Sequence, residues 1–263
     1  MLSVVIITYN EEKNIRRCIE SVLTVADEII VIDSFSEDNT VEIAVSLGAV
    51  VKQSVFEGYV GQKNKAISLA ANNYVLLLDA DEFLSDELAT SIAAEKKHFA
   101  YKGYRFKRCN IFRGKLIKHG LWYPDKKLRL FDKRFGICGG LNPHDKIIMQ
   151  KKAEVKLLKG GMFHHTFENI EAYKKRNEEL STIAAQSIYD AGLKKSIFKI
   201  ILSPAWAFIN GYFLRLGFLE GYNGFIIACL TAQQSFLKYQ KLRQLLREDV
   251  AEAVWENQTK RNN

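Results

Sequence analysis

The chain has 263 residues, 48% hydrophobic and 11% aromatic, which excludes a disordered polymer and allows a substantial packed core. Its net charge of +8 hides two unlike parts: residues 1–100 hold 8 Lys/Arg against 16 Asp/Glu, net −8, and the remainder holds 30 against 14, net +16. A basic C-terminal part suits an anionic partner, such as a membrane surface or a phosphorylated substrate, or is simply a solvated surface; no recognised motif accompanies the charge, so nucleic acid is not expected as a partner.

Cys18, Cys109, Cys138 and Cys229 form no C-x-x-C pair, which fits neither a zinc site nor a disulfide framework and suits reduced thiols in the cytosol. Met1 leads directly into an apolar strand without a basic segment or cleavage site, and no apolar run reaches the ~18 residues of a spanning helix. The expected location is the cytoplasm, with any membrane touched from that side.

The first hundred residues alternate strand and helix patterns. Leu2–Thr8 reads as a buried parallel strand. Asn10 is expected to cap a helix with Glu11 and Glu12 in its first turn. Strands are expected at Glu28–Ile32, Ala49–Val55 and Tyr74–Leu78, and helices near Thr40–Leu47, Gln62–Ala71 and Ser85–Lys97. This alternation predicts a doubly wound sheet with helices on both faces, its ligands lying beyond the carboxyl ends of the strands. From Gly103 to Leu158 short strands (Tyr104–Cys109, Leu128–Phe131, Lys146–Met149, Val155–Leu158) alternate with charged, glycine-containing loops, as in mixed or antiparallel sheet serving an acceptor.

Residues 168–250 read as helical. Ser203-Pro204 is expected to start one apolar helix as N-cap and first residue, and a second spans about Tyr222–Tyr239. Basic residues flank or interrupt them: Lys194, Lys195, Lys199, Arg215, Lys238, Lys241, Arg243 and Arg247. Aromatic, basic, non-spanning helices suit a membrane interface, or else pack on a core or a second subunit. The division expected is a nucleotide-binding half (1–100), an acceptor-side half of the same domain (101–167), a helical region (168–250) and a polar tail (251–263).

Polar residues gather where strands end. Thr8, Tyr9 and Glu11 follow the first strand and can receive a nucleobase and ribose; Asp33 follows the second and can accept from a base imide or a ribose hydroxyl. Each alone also reads as a cap or turn. Asp79 and Asp81, one residue apart at the exit of a buried strand, are costly unless a positive charge joins them. Mg²⁺ or Mn²⁺ suits such oxygen ligands and would neutralise a leaving diphosphate. Asp145 and Asp125 are candidates for the base that an attacking hydroxyl needs, and His164 or His165, after Gly160-Gly161, could complete a metal site or contact the diphosphate.

Together Thr8–Glu12, Val31–Thr40 (V-x-D-x-x-S-x-D-x-T) and Leu78–Glu82 (D-x-D) resemble the motifs of glycosyltransferase family 2, with its GT-A fold. Gly61–Asn64, Trp122–Asp125, Arg129–Phe131, His144-Asp145 and Gly217-Phe218-x-x-Gly221 resemble the lipopolysaccharide-core β-1,4-glucosyltransferases within it, over about residues 1–240. The resemblance implies a mixed, mostly parallel α/β sheet flanked by helices, with a C-terminal helical appendage. It implies that Thr8, Tyr9, Glu11 and Asp33 hold the nucleotide, that Lys63 meets a phosphate, and that Asp79 contacts ribose or metal. Asp81 would bind Mg²⁺ or Mn²⁺, and Asp145 would be the base where the subgroup has glutamate. The partners implied are a nucleotide-sugar, UDP-glucose within the subgroup, and a lipopolysaccharide-type or lipid-linked glycan. Phe35 stands where the second motif has glycine, a change expected to reshape the nucleotide loop.

Three rivals remain at this stage. A dehydrogenase needs G-x-G-x-x-G where the chain has Thr8-Tyr9-Asn10-Glu11. A D-x-D phosphatase needs its motif after the first strand. A membrane-associated adaptor with a degenerate transferase domain fits the substituted glycine but not the intact carboxylates.

Overall fold

The computed structural model describes residues 1–167, 169–192 and 198–261. The chain forms two compact units: residues 1–117, 122–140 and 144–166, and residues 118–121, 141–143 and 167 onward.

In the first unit, β1 (Leu2–Thr8), β2 (Glu28–Asp33), β3 (Val50–Gln53) and β4 (Tyr74–Asp79) form a parallel half-sheet in the order β3-β2-β1-β4. Beyond β4 come β8 (Asp125–Asp132), β6 (Gly103–Phe112), β11 (Val155–Phe167) and β5 (Glu82–Leu84), with β7 (Lys115–Leu116) on β6; the β4–β8, β8–β6 and β11–β5 pairs are antiparallel. β9 (Gly136–Leu141) and β10 (His144–Met149) make a separate two-stranded sheet.

Alternation along β1 explains the layering. Leu2, Val4 and Ile6 join a core with Ile15, Cys18 and Ile19 of α1 (Ile15–Glu20), Ala44 of α2 (Thr40–Ser46), and Leu88 and Ile92 of α4 (Asp86–Lys96). Val5 and Ile7 join the opposite core with Ala66 and Ile67 of α3 (Tyr59–Leu69). Both faces are therefore covered, which is why the central strands are continuous apolar runs. Burying each such side chain stabilises the fold by about 1.5–3 kcal/mol.

The fold class is the one expected; several boundaries are not. The first helix begins at Ile15, and Asn10 adopts φ +52°. Asn10 is occupied elsewhere: its Oδ1 accepts from the Glu37 amide at 2.8 Å. β5 and β7 escape the sequence pattern because they are three and two residues long, too short for a period to show, and β9 because three of its six residues are glycine, which is depleted in strands. β11 runs 13 residues, past the expected end at Leu158 and through Gly160-Gly161. Gly160 admits α4, and Gly161 admits Cys109 of β6, whose Sγ would stand 2.7 Å from an added Cβ. Ser85, the N-cap of α4, donates its amide to the Gly161 carbonyl at 2.9 Å and accepts the Gly161 amide at its hydroxyl at 3.2 Å.

The second unit holds α5 (Ile170–Asp190), α6 (Phe198–Ile209) and α7 (Tyr222–Arg261). Pro204 lies inside α6 rather than at its start. Packing of α6 along α7, with the Phe208 ring 6.1 Å from that of Phe225, carries the helix across a proline that costs about 3 kcal/mol. A π-helical turn (Asn210–Leu214) and a 3₁₀ turn (Gly217–Glu220) reverse the chain. A Cβ on Gly224 would fall 1.8 Å from the Gly217 carbonyl oxygen, so this reversal requires glycine. Buried Glu220 accepts from the Lys118 amide at 2.9 Å and meets His119 Nδ1 at 2.7 Å. α7 continues well beyond Tyr239 and takes in most of the expected polar tail, because residues 240–261 contain neither glycine nor proline. Lys194 and Lys195 lie outside the described residues. No helix among the described residues is long and apolar enough to cross a membrane.

Gly160 has φ +84°, and a Cβ there would stand 2.4 Å from the Leu88 amide nitrogen. Gly160→Ala is expected to destabilise the fold by at least about 2 kcal/mol, measured by urea denaturation.

Candidate active site

Three strand ends meet at one edge of the sheet. Thr8 is in register with Asp33, and Ile7 with Asp79. β1 lies between β2 and β4, where the winding reverses; the crevice beyond such a switch point is where doubly wound sheets bind ligands.

The loops after β1 and β2 are tied to each other. Asp33, fully buried, accepts from the Ser36 amide at 2.9 Å, from the Ser36 hydroxyl, and from Gln53 Nε2 at 3.3 Å. Ser36 Oγ accepts from the Asn10 amide at 2.8 Å. Thr40 Oγ1 accepts from the Glu11 amide at 2.8 Å and donates to Asp38, which also accepts from the Glu12 amide at 3.1 Å. The D-x-x-S-x-D-x-T spacing thus captures the amides of the neighbouring loop and holds the rim rigid. On that rim Tyr9 is 55% exposed, Thr8 Oγ1 is buried without a partner, and Glu11 accepts from Asn14 Nδ2 at 2.7 Å.

At the end of β4 the two aspartates have different surroundings. Asp79 receives Lys63 Nζ on Oδ1 at 2.9 Å and Arg129 on Oδ2 at 2.8 Å. Lys63, only 2% exposed on α3, also meets Asp145 Oδ2 at 2.8 Å. Arg129 reaches Glu82 at 3.1 Å, and Arg108 joins Glu82 (3.4 Å) to Asp125 (2.7 Å). Burial by itself would raise the Asp79 pKa; Lys63 and then Arg129 outweigh it and hold the carboxyl far below the usual range. Burial likewise pulls Lys63 down, and Asp79 and Asp145 together more than restore it, so the ammonium stays charged. Each buried ion carries a desolvation cost of several kcal/mol, which only its partners offset.

Asp81 Oδ2 lies 3.2 Å from His164 Nε2 on β11, while its Oδ1 is buried without a hydrogen-bond partner. Asn110 Nδ2 donates to the Trp122 carbonyl at 2.9 Å, which leaves its Oδ1 to accept His164 Nδ1–H at 2.8 Å. That tautomer aims the Nε2 lone pair at a carboxylate, so either a second proton or a cation must stand between them. Burial raises the Asp81 pKa, and the neighbouring imidazole more than reverses this. Among the described residues no three His, Cys, Asp or Glu side chains form a metal cluster. A carboxylate and an imidazole nevertheless fit Mg²⁺ or Mn²⁺, which usually completes its shell with substrate phosphates and water.

A match to the family described as "Glycosyl transferase family 2" spans residues 3–155, more than half of the chain. The chain belongs to glycosyl transferase family 2. An "Uncharacterized glycosyltransferase" of Rickettsia typhi is 36% identical over 255 residues, covering 93% of this chain and 87% of the relative. The "Lipopolysaccharide core biosynthesis glycosyltransferase LpsC" of Rhizobium meliloti is 28% identical over 263 residues, covering 92% of each. Among solved structures, S. aureus TarS 1–349 in complex with UDP-GlcNAc is 16% identical with a TM-score of 0.48, over 89% of this chain and 91% of that one.

In this family 2 glycosyltransferase the candidate residues fall into three groups. Lys63, Asp79 and Asp145 converge on one ammonium; Asp81 pairs with His164; Asp125, at the start of β8, is held by Arg108 and, at 3.3 Å, by Lys127. The His164–His165 pair divides because successive strand residues face opposite sides, and the His165 ring lies 5.5 Å from that of Phe83. Sequence reasoning gave no role to Arg129, Arg108, Glu82 or Asn110. The available signal was Arg129 itself, a charge within an otherwise apolar stretch of β8. Phe35 leaves the loop geometry that favours glycine intact: it keeps φ +62°, with its ring half exposed.

Left-handed backbone costs a non-glycine residue roughly 1–2 kcal/mol. Phe35→Gly is therefore expected to stabilise the fold by about 1 kcal/mol, less glycine's entropic disadvantage, as a rise in denaturation midpoint. Lys63→Met leaves two carboxylates facing each other and is expected to cost about 3–5 kcal/mol by the same measurement.

Proposed function

We propose that this transferase is metal-dependent and inverting, and that it moves a sugar from a UDP-sugar, with glucose the favoured donor residue, to a lipopolysaccharide-type or lipid-linked glycan. The observation that carries the reading is the meeting of the Asp81–His164 pair and the Lys63–Asp79–Asp145 cluster with the β1 and β2 rim at one sheet edge. The Rhizobium meliloti relative named for lipopolysaccharide core biosynthesis supports the acceptor class.

In this proposal Thr8, Tyr9, Glu11 and Asp33 form the nucleotide rim. Asp81 and His164 would hold Mg²⁺ or Mn²⁺, whose positive charge would stabilise a leaving diphosphate. Asp145 takes the proton from the acceptor hydroxyl as that oxygen attacks the anomeric carbon from the face opposite the leaving group. A single displacement through an oxocarbenium-like state inverts the configuration. Lys63 fixes Asp145 in place, and Asp125, bound by Arg108 and Lys127, is the alternative base. The basic C-terminal part supports contact with an anionic membrane, met in this proposal from its cytoplasmic face.

The experiment is thermal stability against nucleotides with and without Mn²⁺. UDP with Mn²⁺ is expected to raise the midpoint, since binding to the native state alone stabilises it by mass action, and Asp81→Ala is expected to lose the shift. No shift with any nucleoside diphosphate sinks the donor reading and leaves the adaptor. In a transfer assay Asp145→Asn is expected to lower kcat about 10²–10⁴-fold while the UDP shift persists. Near-normal turnover in that variant together with a collapse in Asp125→Asn reassigns the base.

A further inference from the structure

A soluble helix ordinarily turns its apolar stripe inward. On α6 and the turn after it, Leu202, Trp206, Ile209 and Phe213 recur at steps of four, three and four residues, which places them on one helical face, and all four are exposed, Trp206 at 59%. The chain reversal adds exposed Leu214, Leu216, Phe218 and Leu219. Contiguous apolar surface of this extent marks an interaction site rather than ordinary exposure.

The charges around it select the occupant. Along α6 and the reversal the basic residues are Lys199 and Arg215, and the one acidic residue, Glu220, is 6% exposed and occupied by Lys118 and His119. A second copy of this surface would bring like charges together. α6 has 12 residues, too few to span a bilayer, and no described helix is apolar enough to do so.

We propose that α6 and the Asn210–Glu220 reversal form an in-plane anchor that enters the interface of an anionic lipid leaflet, with Trp206 buried among the acyl chains and Lys199 and Arg215 at the headgroups. The assignment rests on the membrane contact proposed above and names the surface that makes it. Apolar burial supplies most of the affinity, and each engaged basic residue adds roughly fivefold on anionic lipid, an increment that salt screens.

The test is co-sedimentation of the full chain with phosphatidylglycerol-containing vesicles and with pure phosphatidylcholine vesicles. Binding is expected to favour the anionic vesicles and to fall about tenfold or more in Trp206→Glu and in Leu214→Glu. Both positions are exposed, so thermal midpoints and any UDP–Mn²⁺ shift are expected to stay unchanged. Acyl-brominated lipids are expected to quench wild-type fluorescence more than that of Trp206→Phe. No binding to either vesicle overturns both this assignment and the membrane contact beneath it. Undiminished binding by the two Glu variants overturns the assignment alone. A stable dimer in sedimentation velocity that either Glu variant dissociates also overturns it, because the face then belongs to a second copy.

Discussion

Lys63 is a single buried ammonium held between Asp79 at the end of β4 and Asp145 on β10, and much of the site depends on it. An amine this deep is expensive to keep charged, and a carboxylate pair this close is expensive to keep ionised. Each makes the other tolerable. Arg129 extends the arrangement through Asp79 to Glu82, and Arg108 carries it on to Asp125. Along this chain of contacts four carboxylates (Asp79, Asp145, Glu82 and Asp125) balance four cations (Lys63, Arg129, Arg108 and Lys127). Asp81 lies outside it with one oxygen that has no hydrogen-bond partner, which suits the divalent ion proposed there.

The rim beside it is built on another principle. Ser36, Asp38 and Thr40 capture backbone amides of the adjacent loop, and Asp33 fixes Ser36 within its own, through neutral or singly charged hydrogen bonds. Such bonds fix a loop in shape without supplying reactive charge. Phe35 keeps left-handed backbone within this frame because the bonds on either side leave it little choice.

The two units differ in how they use apolar surface. In the first, both sheet faces are covered by helices, and the candidate residues gather at the strand ends. In the second, α5 and α6 lie along α7, Asn177 Nδ2 donates to the Leu230 carbonyl at 2.8 Å, and Lys241 binds Glu178 at 2.9 Å. One stripe of α6 is nevertheless left outward.

The alternating α/β half, the strand that ends at Thr8, the acidic strand ends and the family motifs are all legible in residue order alone. Those features are local: a buried parallel strand must be a continuous apolar run, and a capping or chelating residue must sit within a few positions of a strand end. Folding in three dimensions is what brings Lys63 to Asp145, 82 residues away, as well as to Asp79, lets Asn110 set the tautomer of His164, and sets Gly160 against α4. It also decided that Pro204 lies within a helix and that the α6 stripe faces outward. Pairing of buried charges and close backbone approach depend on which distant segments share a small volume, and no periodicity along the chain encodes that.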